Sequence, residues 1–257
     1  MAKKSKVNTK FVVLLSAGAI VIVGGLSAMA YFIALRSASD LAKSGDQKLA
    51  EGSLEAAELM YSKAVNKEQT NVEVIEKWRN CLAKWTPETR AKLEGKYTQA
   101  YVPALRQISL VKATDIPAHR AYLDELWGQM ANIDPPRAML DNLATETSRI
   151  LNYFKSAPED GPWNALKRYR GLAMARAMST SEDVKPEEIE QAKSDLEAAL
   201  KADPKDAECA VAIHDWYLTQ ARHAQDRLQK DEAAKLKKQG VEYLQQFAKS
   251  TTSPAVK

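Results

Sequence analysis

The stretch Gly45-Asp-Gln-Lys-Leu-Ala-Glu-Gly-Ser-Leu-Glu-Ala-Ala-Glu-Leu-Met-Tyr-Ser-Lys-Ala64 predicts two helical segments joined by a tight turn. Gly52 suits that turn, because glycine adopts backbone angles that other residues avoid. Ala57 and Ala64 lie seven residues apart on one helix face, where small side chains let a neighbouring helix come close. Tyr61 lies between them and fills the space beside the contact. The stretch therefore predicts a closely packed helix pair.

A second stretch, Ala192-Lys-Ser-Asp-Leu-Glu-Ala-Ala-Leu-Lys-Ala-Asp-Pro204, repeats the spacing of small residues, with Leu196 in the place of Tyr61. Together the two stretches resemble the tetratricopeptide repeat, which has small residues at these offsets and Asp-Pro after its second helix. The residues that carry the resemblance, and to which it assigns repeat packing, are Gly45, Gly52, Ala57, Tyr61, Ala64, Ala192, Leu196, Ala199 and Pro204.

The resemblance implies an α-solenoid whose stacked helix pairs form a concave surface for an extended peptide or a partner helix. The chain also departs from the family pattern. Gln69 stands where the first repeat would have a proline, and the loop Thr180 to Lys185 is longer than the family's turn. Residues Pro87 to Ala157 match no repeat, so the period is not continuous. A generic alanine-rich helical bundle is the alternative fold.

The chain after the apolar N-terminus is helical in composition and pattern. It is rich in strong helix formers, and its apolar residues recur at spacings of three and four. We predict an all-α array of about nine or ten antiparallel helices over residues 36–249, with no compositional boundary inside it. Pro103 predicts a kink or break near Val102. Residues 250–257 are polar and predict a disordered tail or a linker.

The N-terminus joins a basic tail, residues 1–10, to an uncharged apolar run from Phe11 to Leu35. A helix of about 20 apolar residues crosses a bilayer, so residues 11–35 predict a transmembrane helix. Positive charges favour the cytoplasmic side. We therefore expect a single-pass protein of the inner (cytoplasmic) membrane, with a cytoplasmic tail and an exported helical domain. The flanking charges considered are Lys3, Lys4, Lys6, Lys10 and Arg36.

Two further expectations concern the end of this run. Ala28-Met29-Ala30 fits the cleavage site of a secretory signal, so removal of the segment after Ala30 is the alternative to an anchor. The run is longer than a usual signal core and continues past that site, which favours the anchor. Because neither proline nor glycine interrupts Arg36 to Ser44, the sequence predicts one continuous helix from the membrane into the first repeat.

The net charge of +4 comes from the tail alone. The chain has 37 Lys and Arg against 33 Asp and Glu, and the tail contributes four lysines without an acid. The remaining chain is neutral, with its signs interspersed. The basic character is therefore a membrane-flank signal, and nucleic acid is not an expected partner.

The sequence contains few candidates for catalytic or metal-binding residues. Cys81 and Cys209 lie in predicted helices, outside any CxxC pair, and are expected to be buried free thiols. His214 and His223 are too far apart for an i, i+4 metal pair, and His119 follows a helix start. Phosphate-cradling and nucleophile-elbow motifs are missing from the sequence. We predict no catalysis, no cofactor, no metal and no small-molecule substrate. The tryptophans are expected to anchor helix packing, with an aromatic-lined groove as the alternative.

These features predict a non-catalytic, membrane-tethered scaffold or adaptor for protein–protein interaction in a bacterial cell envelope. Its expected partners are a protein or peptide and the lipid bilayer. The alternative is a periplasmic chaperone or quality-control subunit that accompanies secretion machinery.

Overall fold

The computed structural model describes residues 36–86, 94–180 and 185–252. Every regular element in these ranges is a helix, which confirms the all-α class. The predicted membrane helix over residues 11–35, the basic tail and the cleavage site after Ala30 lie outside the described residues. Among the helices that are described, none has both the length and the apolar character needed to cross a bilayer.

Ten α-helices follow one another along the described chain. They are α1 Ala38–Ala50, α2 Leu54–Lys67, α3 Val72–Ala83, α4 Glu94–Val111, α5 Ile116–Ala131, α6 Arg137–Leu151, α7 Lys167–Thr180, α8 Pro186–Ala202, α9 Ala207–Asp226 and α10 Lys230–Thr252. Two short 3-10 helices, Asn152–Phe154 and Pro162–Leu166, lie between α6 and α7. Helix α10 continues past residue 249, where the sequence had placed the start of a tail.

The chain divides into two compact units, residues 1–100 and residues 101–257. Composition does not mark this division, because the described helices on both sides of it have a similar mixture of apolar and charged residues. The boundary lies inside α4. That helix also continues through Pro103, so the break predicted near Val102 does not occur. A proline removes one backbone hydrogen bond from a helix, and the neighbouring turns can hold the helix together.

Helix α1 of the first unit begins at a capping box. Ser37 has extended backbone angles (φ −67°, ψ 162°), and its side chain accepts a hydrogen bond from the Asp40 amide at 3.1 Å. The Asp40 carboxylate in turn accepts one from the Ser37 amide. This reciprocal pair satisfies free N–H groups at the helix start. The predicted continuous helix through Arg36 to Ser44 is therefore wrong, because Ser37 has extended backbone angles and α1 begins only after it.

Helices α1 and α2 pack closely where Gly45 meets Tyr61. A Cβ atom built on Gly45 would lie 2.6 Å from Cε1 of the Tyr61 ring, so the contact leaves room only for glycine. Ala57 and Ala64 are fully buried on the same side of α2. Gly52 has φ +78° in the turn between the helices, a conformation that favours glycine.

A polar network ties α3 to this pair. The Tyr61 hydroxyl donates a hydrogen bond to Asp46 at 2.8 Å, and the Lys77 ammonium pairs with the same carboxylate at 2.8 Å. Burial alone would raise the pKa of Asp46, but these two donors outweigh it and the pKa lies below its usual value. The carboxylate therefore stays charged and joins α1, α2 and α3.

In the second unit the helices α7 and α8 make the equivalent contact. A Cβ atom built on Gly171 would lie 2.7 Å from Cγ of Leu196 and 3.2 Å from the Ala192 carbonyl oxygen. Ala192 and Ala199 are buried beside it, and Pro204 lies in the turn after α8. Gly171 thus has the role in α7 that Gly45 has in α1, although sequence analysis did not single it out.

The core of the second unit is built by packing successive helices on one another. Helix α7 packs against both α6 and α8, and α9 packs against α7, α8 and α10. Large side chains from α5, α6, α7, α8 and α9 fill the interior. Examples that are almost completely buried are Leu123, Leu140, Leu143, Ile150, Tyr169, Leu196 and Ile213.

We expect Gly171→Ala to lower the free energy of unfolding by up to about 2 kcal/mol. Overpacking against Leu196 costs about 1–3 kcal/mol, whereas the gain in helix propensity returns only about 1 kcal/mol. Gly128→Ala is the matched control in α5, because a Cβ built there meets no described atom within 4 Å. That variant should be stabilised by about 0.5–1 kcal/mol. Urea unfolding measures both, and equal stabilisation of the two variants would contradict the close contact.

Candidate functional site

A groove in the second unit runs along α5, α7 and α9 and has a volume of about 430 Å³. These three helices are the first members of the successive pairs α5–α6, α7–α8 and α9–α10. Trp127 of α5 and Arg176 of α7 lie on its walls. Helix α9 contributes the largest share of its lining, including Val211, Asp215, Leu218 and Arg222. We call it the α5–α7–α9 groove.

An ion-pair cluster around Arg168 holds the three helices together at one end. The Arg168 guanidinium lies 2.8 Å from Asp206 and 2.5 Å from Glu208, and Asp124 of α5 lies 3.7 Å away. The Trp127 indole N–H donates to Glu208 at 2.7 Å. Burial opposes the charge of Arg168, but its interactions with Asp206 and Tyr169, among others, together outweigh that effect and keep its pKa above the usual value. The guanidinium therefore stays charged.

A second arginine holds the end of α5 against α7. The Arg176 guanidinium donates hydrogen bonds to the carbonyl oxygens of Met130 at 3.0 Å, Ala131 at 3.3 Å and Ile133. Met130 and Ala131 lie in the last turn of α5, where carbonyl oxygens lack the i+4 N–H partner of the helix interior and a cation is favourable. The guanidinium also lies 5.9 Å from the ring centroid of Trp127. The guanidinium of Arg176 is thus already bound by groups of the protein itself.

Helix α9 presents a contrasting stripe of four exposed residues: Val211, Asp215, Leu218 and Arg222. Their spacing of four, three and four residues places them on one helix face. Val211 is 49% exposed and Leu218 is 36% exposed, although both are apolar. Within the described part of the chain, the side chains of Asp215 and Arg222 have no hydrogen-bond or ion-pair partner. We call these four residues the α9 stripe.

The sequence-predicted residues lie elsewhere. Gly45, Gly52, Ala57, Tyr61 and Ala64 are in the first unit, and Ala192, Leu196, Ala199 and Pro204 are at or near the α7–α8 contact. None of them lines the α5–α7–α9 groove. Lys3, Lys4, Lys6 and Lys10 lie outside the described residues. The backbone oxygen of Arg36 accepts a hydrogen bond from Lys67 at 2.6 Å.

The α9 stripe was missed because periodicity shows that α9 is amphipathic but not which face is covered. Among the larger apolar residues of α9 are Ile213, Trp216 and Tyr217. Ile213 and Trp216 are buried, whereas Val211 and Leu218 remain exposed. The alternation of two apolar residues, Val211 and Leu218, with two opposite charges, Asp215 and Arg222, on one face was the available signal.

A serine and a histidine lie within hydrogen-bond distance in the core. Ser109 Oγ is 2.7 Å from His119 Nδ1, and His119 Nε2 is 2.9 Å from the Ala113 carbonyl oxygen. A carbonyl only accepts, so Nε2 carries the hydrogen, and Ser109 donates to Nδ1 of the neutral ring. Burial lowers the pKa of His119 and favours this neutral form. Ser109 and His119 are both fully buried, so a substrate cannot reach the pair.

The cysteines are free and buried, as predicted. Burial raises the pKa of Cys81 to about 11 and also raises that of Cys209. Both groups are therefore thiols at neutral pH and are poor nucleophiles. Within residues 36–86, 94–180 and 185–252, no cluster of three or more His, Cys, Asp or Glu side chains is placed to hold a metal ion.

No family model and no curated protein matches this chain. Crystal structures of MamA, a tetratricopeptide-repeat protein, are structural neighbours at low identity. One has 15% identity and a TM-score of 0.45, and the match covers 85% of this chain and 97% of that chain. Another has 16% identity and a TM-score of 0.39, covering 80% of this chain and 96% of that chain. Both TM-scores are low, so these likenesses carry no argument about function.

We expect acid to destabilise the second unit through His119. Its pKa in the folded protein is below the value of about 6.5 in an unfolded chain, so the unfolded chain binds the proton more readily. Its contribution is complete above about pH 6.5 and is lost as the pH falls, at up to about 1.4 kcal/mol per pH unit.

Melting temperatures at pH 7.5 and pH 5.5 measure this effect. The difference should be smaller in His119→Gln, which cannot titrate, than in the unmodified protein. An equal pH dependence in the two proteins would show that His119 is not the group that titrates.

Proposed function

We propose that this chain is a non-catalytic scaffold or adaptor that binds a protein partner in the α5–α7–α9 groove. The observation that carries the proposal is the α9 stripe. Removing its two apolar side chains from water favours binding, and pairing its two unpaired charges with charges of opposite sign favours the correct partner. An exposed face of this composition inside a groove is typical of a protein-binding surface rather than of a solvated one.

The walls of the groove support this function because they are already ordered. Arg168 ties α7 to the start of α9, and Arg176 ties α7 to the end of α5. A preformed site loses less conformational entropy when it binds a partner. The groove therefore presents the α9 stripe in a fixed position to an incoming helix or extended segment.

A non-catalytic role is supported by the state of the reactive side chains. The Ser109–His119 pair is sealed in the core, and both cysteines are protonated at neutral pH. The neutral, mixed-sign charge of the chain after residue 10 also favours a protein partner over nucleic acid.

The proposal includes a tether. Residues 11–35 would cross the inner membrane of a bacterial cell once, with Lys3, Lys4, Lys6 and Lys10 on the cytoplasmic side and the helical domain exported. The capping box at Ser37 supports a separate start for α1 immediately after this segment. In this arrangement the anchor and α1 are two helices joined at Arg36 and Ser37.

The groove is tested by crosslinking the full-length chain in the membranes of its own cells and isolating bound proteins. Leu218→Asp should reduce recovery of the partner at least tenfold, because it places a charge in the apolar part of the stripe. Leu228→Asp is the matched control, since Leu228 is 82% exposed and lies outside the groove. Equal losses in both variants, or in neither, would contradict the proposal. Recovery of many unfolded clients instead of one partner would favour the chaperone alternative.

The tether is tested by adding protease to intact spheroplasts. The helical domain should be digested from outside, while an epitope on residues 1–10 stays protected. Complete protection of the helical domain would overturn the orientation. A mature N-terminus at Tyr31 would show instead that the apolar segment is a cleaved signal.

A further inference from the structure

We propose that the occupant of the α5–α7–α9 groove is a second copy of this chain, whose α9 lies antiparallel to the first α9. The two α9 stripes would then meet across a two-fold axis. This inference rests on the proposed function, because it names the partner of the same groove.

The four residues of the α9 stripe lie on one face of the helix. At 100° per residue, Val211, Asp215, Leu218 and Arg222 lie within an arc of about 60°, so one partner helix can contact them all. Asp215 and Arg222 are seven residues apart, which is about 10.5 Å along the helix axis. The midpoint between them lies between Leu218 and Thr219.

The charges of the stripe are complementary to one another under that symmetry. An antiparallel two-fold through the midpoint brings Asp215 of one copy beside Arg222 of the second copy, and the reverse pair forms at the same time. A two-fold interface must be self-complementary in this way, because the same surface supplies both sides. The two unpaired charges of the stripe are opposite in sign and equidistant from the midpoint, as this symmetry requires.

The residues at the two-fold axis, Leu218 and Thr219, allow the two helices to come close. Leu218 is exposed and would bury its side chain against the second Leu218. Thr219 beside it is only 5% exposed and small, so it does not hold the two helices apart. The apolar contact thus lies between the two ion pairs, which it shields from water.

The other charges of the groove do not offer an alternative pairing. Arg176 is bound to the carbonyl oxygens at the end of α5, and Glu208 is bound by Arg168 and the Trp127 indole. Among the described residues, Asp215 and Arg222 are therefore the charged side chains of the groove that are available to pair with a second molecule. If the chain is tethered in one membrane, a second copy is also held at high local concentration.

Charge reversal tests the pairing in the full-length chain, purified in detergent and measured by sedimentation velocity over a range of concentrations. Asp215→Arg opposes Arg222 of the second copy, and Arg222→Asp opposes Asp215. Each single variant should weaken self-association at least tenfold. The double variant Asp215→Arg/Arg222→Asp restores both pairs with exchanged signs and should return within about threefold of the unmodified protein.

Lys205→Glu is the control for a change of charge outside the stripe, in the exposed turn before α9. It should leave self-association unchanged. Melting temperatures of all variants show whether each is folded, and recovery in the double variant excludes unfolding as the cause of any loss.

A crosslinking measurement locates the axis in membranes. Leu218→Cys should form a disulfide-linked dimer when the membranes are treated with copper–phenanthroline, which oxidises the two thiols. Leu228→Cys, outside the groove, should not. Cys81 and Cys209 are buried and supply the background in both.

A monomer at all concentrations would overturn this inference, as would a dimer that is insensitive to Asp215→Arg and Arg222→Asp. If self-association is absent but Leu218→Asp still abolishes capture of another protein, the groove binds a different partner and only the inference fails. If neither self-association nor capture depends on Leu218, the proposed function fails as well.

Discussion

The ion-pair cluster of Arg168 is the contact on which the groove depends. One guanidinium on α7 meets Asp206 and Glu208 at the start of α9, and Asp124 on α5 lies beside it. Asp206 also caps α9, since its side chain accepts a hydrogen bond from the Cys209 amide at 3.1 Å. Arg168 is only 14% exposed, and removing one member of a buried ion pair typically costs about 3–5 kcal/mol. This one side chain therefore contacts all three helices that line the groove.

Helix α7 can position the groove because its opposite face is bound to α8. Arg170 makes a two-pronged ion pair with Asp195 of α8 at 2.6 and 2.9 Å, and Asp195 is almost completely buried. Gly171 beside it brings the backbones of α7 and α8 close together. One face of α7 is thus fixed to α8, and the other face orders the groove. Arg168 and Arg170 are engaged in these ion pairs. Asp215 and Arg222 of the α9 stripe are the charged residues of the groove without such a partner in the described part of the chain.

The two repeat-like stretches show which structural features the local sequence predicts. The spacing of Ala57, Tyr61 and Ala64 reports a helix face directly, because side chains seven residues apart stack on one side of a helix. The same spacing did not identify Gly171. The loop Thr180 to Lys185 lengthens the sequence between Gly171 and Leu196 compared with that between Gly45 and Tyr61. The continuous helix across Arg36 was predicted from the absence of proline and glycine. A serine followed three residues later by an aspartate was a stronger signal, since it forms a capping box.

The sequence by itself determined the all-α class, the helix pairs and the buried state of the cysteines, because these follow from propensity, spacing and hydrophobicity along short segments. Only the tertiary structure decided which charges are paired and which helix face stays open. Arg168 and Glu208 are 40 residues apart, and Trp127 and Glu208 are 81 residues apart. Contacts over such separations depend on how the helices stack, and no local pattern encodes them. The exposed stripe of α9 is what remains after those distant contacts have formed.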